Sequence, residues 1–248
     1  MKIPTFDGVR RYCYVISPFK NNVIVTEYPK SGGTWLTQMV ADSCGFQFPK
    51  GDAPISDGII HGHYLRVPGN KKKIVLWRDP RDVIISYYHH IFCRTDPVAL
   101  KIKELYKPFL PHSRLNNIMT DLPFFSELVM EGSIYPRFSY RKFFECNFQT
   151  NGNINVFYEN LRKNTSIELK RVCESLTGEA HDSEKISKTV DRFSFSRLSG
   201  RATGEEKKDS ALRKGIVGDH VNYFSSQQLD EFDRKYGFII DKLMASWH

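Results

Sequence analysis

Short runs of apolar, β-branched residues alternate along the chain with longer segments in which apolar positions recur at helical spacing. The first run, NVIVT at 22–26, predicts a buried strand, and a turn containing proline and glycine follows it. From Thr34 the sequence TWLTQMVADSC predicts a helix, with Thr34 as its capping residue. The pattern therefore begins with a strand, a glycine-containing loop and a helix.

The same order occurs twice more. A run at 73–77 precedes the turn RDPRD and a predicted helix over 82–92. A third run at 154–158 precedes a predicted helix that reaches about Leu176 and stops at Gly178. Strands that alternate with helices indicate an α/β fold with a central parallel sheet flanked by helices. In such folds ligands bind at the carboxyl ends of the strands, which is where all three turns are expected.

The remaining segments carry weaker signals. Residues 94–150 are predicted to be mostly helical, with Asp121 capping one of the helices. Residues 199–214 are polar and weakly periodic and predict a long loop, which in compact domains is usually functional or disordered. Ser225, with a glutamine three positions later, predicts a capping box for a last helix through Tyr236.

The bulk composition indicates one globular domain spanning residues 1–248. The net charge of +8 is compatible with an anionic partner, but it does not choose between a nucleotide, a nucleic acid and a membrane. The five cysteines are scattered and never in CxxC spacing, which argues against a zinc site or a disulfide framework and favours a cytoplasmic location. The N-terminal stretch has no signal-peptide pattern, and no run approaches the roughly 20 apolar residues of a membrane span.

The sequence YPKSGGTW at 28–35 joins the first predicted strand to its helix. The first N–H groups of a helix lack internal partners, and the helix dipole favours an anion there. The two glycines allow close approach of the backbone, and Lys30 adds a positive charge. The segment predicts a phosphate-binding loop, although a tight turn with an incidental lysine would have the same composition. Its lysine precedes the glycines, unlike the Walker arrangement of magnesium-dependent nucleotide-binding enzymes.

A second candidate phosphate site lies in RDPRDVIISYYHH. Arg78 stands at the end of the second predicted strand, and Ser86 lies one or two turns into the following helix. A guanidinium fork with a nearby hydroxyl suits a terminal phosphate, because the fork can donate two parallel hydrogen bonds. An ion pair of Arg78 with Asp79 or Asp82 is the alternative.

Together these segments resemble the two signatures with which cytosolic sulfotransferases bind 3′-phosphoadenosine 5′-phosphosulfate (PAPS). YPKSGGTW is similar to the family's YPKSGTTW loop, and Arg78 and Ser86 have the eight-residue spacing of its 3′-phosphate segment. A third stretch, RKGIVGDHVNYFS at 213–225, is similar to the family's RKGxxGDWKNxF segment. The resemblance spans about residues 22–236. It implies a P-loop-like phosphosulfate-binding loop and transfer of a sulfuryl group from PAPS to a hydroxyl or amine of a small molecule.

The resemblance also implies roles for single residues. Lys30 would contact the transferred sulfate and the bridging oxygen. The nucleotide would be held by Ser31, Gly32, Gly33 and Thr34 at the 5′-phosphate, by Arg78, Ser86, Arg213, Lys214 and Gly215 at the 3′-phosphate, and by Trp35, Tyr158 and Phe195 at the adenine. For the three aromatic residues, core packing is the alternative reading.

The catalytic base comes from a looser match. The family has a KTH segment between the two signatures, and IIHGHYLRV here places His63 at its histidine and His61 at its lysine. His63 would accept the proton of the acceptor, while Lys30 would neutralise charge on the leaving oxygen. The sequence departs from the family's pattern where Gly33 replaces a threonine and His61 replaces a lysine, and where His220 and Val221 stand in place of the tryptophan and lysine of the third segment.

The implied reaction leaves adenosine 3′,5′-bisphosphate (PAP) as its product and requires no metal. The expected partner is a small-molecule acceptor rather than a nucleic acid or a membrane, and the sequence does not decide between a monomer and a dimer. Two other classes of function are compatible with parts of the pattern. They are a P-loop small-molecule kinase, which would use Mg-ATP, and a non-enzymatic nucleotide- or nucleic-acid-binding module, which only the charge suggests.

Overall fold

The structure is a computed structural model that describes residues 23–48, 58–67, 71–110, 117–148 and 150–247. Cys13 and the first residue of the strand predicted at 22–26 lie outside these ranges. The described residues fall into two compact units. The first contains residues 23–27, those described within 31–77, and those described within 146–194; the second contains residues 28–30, those described within 78–145, and 195–247. The expectation of one domain spanning 1–248 stays a prediction.

The first unit contains a four-stranded sheet in which every pairing is parallel. Its strands are β1 (Val23–Glu27), β2 (Ile59–Gly62), β3 (Lys72–Trp77) and β4 (Asn153–Phe157), in the order β2-β1-β3-β4. The three predicted strands are therefore confirmed as β1, β3 and β4. The sequence pattern missed β2, which has four residues and pairs with β1 so that Val25 lies opposite His61.

Helices make up most of the remaining described residues. In chain order they are α1 (Gly33–Cys44), α2 (Pro80–Phe92), α3 (Pro97–Tyr106), α4 (Ile118–Met130), α5 (Tyr140–Asn147), α6 (Tyr158–Lys163), α7 (Thr165–Thr177), α8 (Ser183–Arg192), α9 (Phe195–Ser199) and α10 (Ser226–Met244), with short 3₁₀ turns at Lys107–Phe109 and Asp219–Asn222. The mostly helical stretch predicted at 94–150 is thus confirmed for its described residues.

One face of the sheet carries the core of the first unit. Val25, Leu76 and Val156 from three strands pack with Leu36 of α1 and Leu169 of α7, all of them fully buried. Burying an aliphatic side chain of this size contributes roughly 1.5–3 kcal/mol, so this layer fixes α1 and α7 against the sheet. The expected α/β architecture, a parallel sheet flanked by helices, is confirmed.

Several helix boundaries differ from the sequence prediction because backbone geometry or a cap decides them. Helix α1 begins at Gly33 after Gly32, whose φ of 108° is left-handed, so the prediction that Thr34 caps this helix is wrong. The helix predicted to reach about Leu176 is two helices, which meet at Asn164 before the second ends at Gly178 as expected.

Caps also shift two helices of the second unit. Asp79 accepts from the N–H of Arg81 and starts α2 two residues earlier than predicted. Asn117 caps α4, so the prediction that Asp121 is the cap is wrong. Asp121 instead accepts a hydrogen bond of 2.6 Å from the hydroxyl of Tyr88.

The long loop predicted at 199–214 is confirmed apart from Ser199, which is the last residue of α9. Arg201 organises it, because its guanidinium donates to the carbonyls of Glu205 and Arg213 at 2.6 and 2.9 Å and also to that of Leu212. The capping box of α10 is confirmed, and the helix runs to Met244, beyond the predicted end at Tyr236. Its length reflects further buried side chains near its end.

None of the helices in the described ranges is long and apolar enough to cross a bilayer. The four described cysteines are free thiols. Although scattered in sequence, Cys44 and Cys173 meet near His181, with ligand atoms within 4.8 Å of one another. A hydrogen bond from Cys173 lowers the pKa of Cys44, against the effect of burial.

Candidate functional site

In the first unit, β1 ends in a buried carboxylate that gathers the residues around it. Glu27 is 3% exposed, and its Oε2 accepts a hydrogen bond of 2.5 Å from the backbone N–H of Gly33. Its Oε1 lies 3.0 Å from Nε2 of His61. Its backbone oxygen lies 3.2 Å from Nδ1 of His63. We call these four residues, Glu27, Gly33, His61 and His63, the loop-end cluster.

The contacts of the loop-end cluster indicate which ring nitrogens carry protons. A carbonyl oxygen can only accept a hydrogen bond, so Nδ1 of His63 donates to Glu27 and Nε2 of its neutral form holds the lone pair. That is the tautomer a general base needs. His61 donates from Nε2 to the Glu27 carboxylate, and the two imidazole rings stand nearly perpendicular with centroids 5.5 Å apart.

Both glycines of the loop are required by their surroundings. A Cβ on Gly32 would lie 3.0 Å from Cδ2 of Tyr158, and the left-handed φ of this residue also favours glycine. A Cβ on Gly33 would lie 2.6 Å from Cδ of Glu27. The N–H of Gly33, which the sequence assigned to the 5′-phosphate, is engaged by Glu27 in this structure. Ser31 is buried and Thr34 exposed.

The first unit also brings together two of the aromatic residues expected at the adenine. The ring centroids of Trp35 and Tyr158 lie 6.1 Å apart in an edge-to-face arrangement. The indole N–H of Trp35 donates to the carbonyl of Phe193 at 2.8 Å, and the guanidinium of Arg162 lies 5.7 Å from its ring. Tyr158 contributes to the hydrophobic core. Their role at the nucleotide stays a prediction.

In the second unit, Lys30 and Arg78 meet although they lie 48 positions apart in sequence. The Nη1 of Arg78 donates to the carbonyl of Lys30, and its Nη2 donates to that of Ile216, both at 3.2 Å. Lys30 has a φ of 77°, a left-handed conformation that costs a residue with a side chain roughly 1–3 kcal/mol. Such strain persists where surrounding contacts impose it, and the hydrogen bond from Arg78 is one of them.

A buried carboxylate fixes the other side of Arg78. Asp82 accepts from the N–H groups of Gly218 and His220 at 2.8 and 3.0 Å and from Nδ1 of His220 at 2.9 Å. Burial opposes its ionisation, but the hydrogen bond from His220 and the charge of Arg78, 3.6 Å away, hold the pKa of Asp82 at about 2. The ion pair of Arg78 with Asp82, which is the alternative given by the sequence, is therefore present. It exists together with the hydrogen bonds from Arg78 to the carbonyls of Lys30 and Ile216. Asp79 pairs with Arg81 instead.

The two cations of the third motif are also paired with acids. Arg213 contacts Asp219 at 2.5 Å and Glu206 at 2.6 Å, and Lys214 contacts Asp219 at 2.9 Å. The ring of Tyr223 lies within 6 Å of both cationic groups. Burial tends to raise the pKa of Asp219, and the hydrogen bond from Lys214 lowers it overall. We call this set the cation cluster; it comprises Arg78, Asp82, Arg213, Lys214 and Asp219.

The remaining predicted residues of the second unit are Gly215, Phe195 and Ser86. Gly215 has a φ of 65°, and a Cβ there would lie 2.9 Å from Cε2 of Phe195. Phe195 is buried, with the guanidinium of Arg201 5.4 Å from its ring. Ser86 is half-buried on α2. The structure therefore places Phe195 directly against the backbone of the third motif.

Sequence reasoning missed Glu27 and Asp219, two of the acids that organise the clusters, and it named Asp82 only as an alternative partner of Arg78. Glu27 could have been noticed as a charge directly after a buried strand. Asp82 lies four positions after Arg78, a spacing at which opposite charges on one helix face meet. No local signal pointed to Asp219, because its partners are recognisable only once the loop is folded.

Comparison with known proteins gives consistent results. A family model described as the sulfotransferase domain matches residues 61–248, more than half of the chain. Mouse sulfotransferase 1B1 is 24% identical over 246 residues, covering 87% of this chain and 81% of that protein. Human sulfotransferase 6B1 is 24% identical over 260 residues, covering 87% of this chain and 75% of that protein.

Solved structures resemble the fold. Mouse sulfotransferase SULT7A1 complexed with PAP has a TM-score of 0.65 at 20% identity, with 93% of this chain and 88% of that chain covered. Retinol dehydratase in a complex with retinol and PAP has a TM-score of 0.64 at 17% identity, with coverages of 93% and 84%. Identities this low establish the fold alone.

Proposed function

This chain belongs to the sulfotransferase domain family, and we propose that it transfers a sulfuryl group from PAPS to a hydroxyl or amine of a small-molecule acceptor, leaving PAP. The observation that carries the proposal is the contact between the two signatures. Arg78 of the second signature donates to the backbone of Lys30 in the first. Two segments that the sequence assigned to one nucleotide thus meet in the fold.

The proposed site follows the residues of those signatures. Lys30 and the loop residues Ser31, Gly32, Gly33 and Thr34 hold the phosphosulfate, with the left-handed Gly32 supplying the bend. The 3′-phosphate is held by Arg78, Ser86, Arg213, Lys214 and Gly215, and the adenine by Trp35, Tyr158 and Phe195. Buried, carboxylate-anchored guanidinium groups are held in fixed positions, which favours recognition of a phosphate by geometry.

The proposed reaction is an in-line displacement at sulfur. The acceptor oxygen or nitrogen forms a bond to sulfur as the bond from sulfur to the 5′-phosphate oxygen breaks. Nε2 of His63 takes the acceptor's proton, and the ammonium of Lys30 neutralises charge on the departing phosphate. Little covalent help is needed, because positioning and charge stabilisation dominate transfers of this kind. The scheme uses no metal.

The same proposal includes the chemical class of the acceptor and the cellular location of the protein. Retinol dehydratase has been crystallised with retinol and, in another complex, with androsterone, each together with PAP. Apolar molecules that carry a hydroxyl are therefore a suitable first set of acceptors to test here. The free thiols of the four described cysteines suit the cytoplasm.

Thermal-shift titration separates the proposed function from its rivals. We expect stabilisation by PAP without magnesium, because the proposed nucleotide site is built from backbone and cationic groups. A response only to Mg-ATP would favour a kinase, and a response only to an oligonucleotide would favour a nucleic-acid-binding module. A PAPS-dependent screen of hydroxylated acceptors, read by mass spectrometry, then identifies the substrate.

The base assignment is tested with His63→Ala. Removing a general base typically costs about 10²–10⁴-fold in rate, so we expect turnover to fall by that range while PAP binding is retained. His181→Ala is the matched control, since that histidine contacts Thr177 in a different part of the first unit. Turnover of His63→Ala equal to that of the unaltered chain would move the base elsewhere, with His61 as the next candidate.

A further inference from the structure

The carboxylate of Glu27 lies beside a loop that, in a sulfotransferase, is expected to bind an anionic ligand. A negatively charged side chain is unexpected at that position. It is buried, and it accepts the N–H of the first residue of α1 at 2.5 Å. A helix N-terminus stabilises a carboxylate through its unpaired N–H groups and its dipole. The same carboxylate repels an incoming phosphate, because like charges at short range in a partly dry site disfavour binding.

His61 is the partner that can cancel this repulsion when it carries a proton on both ring nitrogens. Its Nε2 lies 3.0 Å from Oε1 of Glu27, and the two side chains are 15% and 4% exposed. Protonated, it makes the pair neutral, and the loop then presents its remaining N–H groups without a net negative charge beside them. A buried carboxylate left without its partner would be costly in itself.

Gly33 completes the arrangement. A Cβ at this position would lie 2.6 Å from Cδ of Glu27 and 2.7 Å from Cδ2 of His61, so both side chains fill the space that a larger residue would need. At positions 33 and 61 this sequence also departs from the loop and KTH signatures it resembles. One carboxylate contacts both of these residues, which links the two departures.

We propose that Glu27 and His61 are positioning residues that act as a neutralised pair, fixing the Gly33 end of the loop while allowing it to receive the phosphosulfate. The inference rests on the proposed function, since it requires a nucleotide anion at this loop. Glu27 orients the loop through the Gly33 N–H. His61 supplies the positive charge without which the carboxylate would weaken nucleotide binding.

A metal ion held by the same side chains is the competing explanation, because ligand atoms of Glu27, His61 and His63 lie within 4.8 Å of one another. The observed contacts favour the pair. One carboxylate oxygen is engaged by Gly33 and the other by His61, and Nδ1 of His63 faces a carbonyl. These groups satisfy one another without an ion.

The test is the dissociation constant for PAP, measured by calorimetry on charge variants of the pair. We expect His61→Gln to raise it about 10-fold or more, because the carboxylate is then uncompensated, and Glu27→Gln to lower it several-fold. His61→Lys, which keeps the charge, should stay within about 3-fold of the unaltered chain. The double variant, Glu27→Gln with His61→Gln, should return to a similar value because the pair is again neutral.

Opposite signs for the two single variants distinguish a charge role from a structural one. If both single variants weaken PAP binding, or if the double variant binds PAP no better than His61→Gln does, the pair is only structural and the proposal is overturned. His181→Gln is the control and should leave the constant unchanged. Each titration is repeated with EDTA, and an affinity that changes with EDTA would replace the pair with a metal site.

Failure of this inference is distinguishable from failure of the proposed function. If the unaltered chain binds PAP and His61→Gln binds it equally well, only the role of the pair is lost. If the unaltered chain does not bind PAP at all, the proposed function is lost and the role of the pair with it.

Discussion

The loop-end cluster and the cation cluster solve the problem of anion binding in different ways. The loop-end cluster depends on backbone N–H groups, glycines and one buried carboxylate with its histidine. The cation cluster depends on long side chains whose charges are nearly all met by acids. Arg78 faces Asp82, while Arg213 and Lys214 share Asp219.

The difference shows that the net charge of +8 says little about the site. In the cation cluster the acids fix each guanidinium and ammonium at one position, at the expense of positive potential. In the loop-end cluster the charges that matter are those of one pair of side chains, Glu27 and His61. Recognition in both regions is therefore expected to depend on geometry, and variants that alter geometry should have the larger effects.

Replacing Lys30 should produce the largest change. Lys30→Ala and Lys30→Gly should both lower turnover by about 10²–10³-fold, because each removes the cation that we propose at the leaving oxygen. Their stabilities should differ. Glycine tolerates the left-handed φ of 77°, so Lys30→Gly should melt a few degrees above Lys30→Ala. Turnover with PAPS and thermal melting give the two readouts.

Lys188→Ala is the control for this pair of variants, since that lysine is exposed on α8 and pairs with Glu184. It should change neither turnover nor melting. Equal melting temperatures for the two Lys30 variants would mean that the loop relaxes out of the left-handed conformation, and the fixed geometry argued for this residue would then be lost.

Arg78→Met should have the next largest effect and acts on the cation cluster. We expect the PAP dissociation constant to rise about 10–100-fold, because the bidentate charged contact that we propose between Arg78 and the 3′-phosphate is removed. Methionine also abolishes the hydrogen bonds to the carbonyls of Lys30 and Ile216, which costs on the order of 1–3 kcal/mol of stability. Calorimetry measures the first quantity and chemical denaturation the second.

Arg81→Met is the matched control, since that arginine pairs with Asp79 and Asp233 and is not assigned to the nucleotide. It should leave PAP binding within about 3-fold. If Arg78→Met kept full affinity for PAP while losing stability, Arg78 would be a structural residue and the 3′-phosphate would need another partner.

The sequence predicts an element well when the residues that stabilise it are close together in the chain, and poorly when they are far apart. The strands β1, β3 and β4 are predicted to within a residue because a short local pattern of apolar residues marks each of them. Strand β2 was missed because two of its four residues, His61 and Gly62, break the apolar pattern. Helix starts were misplaced where the cap is a glycine in a left-handed conformation or a residue just outside the periodic stretch.

The site shows the same division. Lys30, Arg78 and the glycines could be predicted because they stand in continuous motifs. The full set of partners of the acids could not be predicted, because some are remote: Asp82, already named as a possible partner of Arg78, also accepts from Gly218 and His220, more than 130 positions away. Charge neutralisation of this kind is a property of the folded chain, and no single window of sequence contains it.

The smallest predicted effect concerns His89, a buried histidine whose pKa responds to its burial and to the charge of Arg213 in the cation cluster. Burial, followed by the charge of Arg213, lowers the pKa of His89 from 6.5 to about 4. Because the folded chain favours neutral His89, its contribution to stability is complete above pH 6.5 and is lost as the pH falls towards 4. His89→Gln cannot titrate, so the unaltered chain should lose on the order of 1 kcal/mol relative to it across that window in chemical denaturation. A parallel pH dependence for both proteins would mean that the pKa of His89 is not lowered in the folded chain, and the effect argued from its burial and from Arg213 would be wrong.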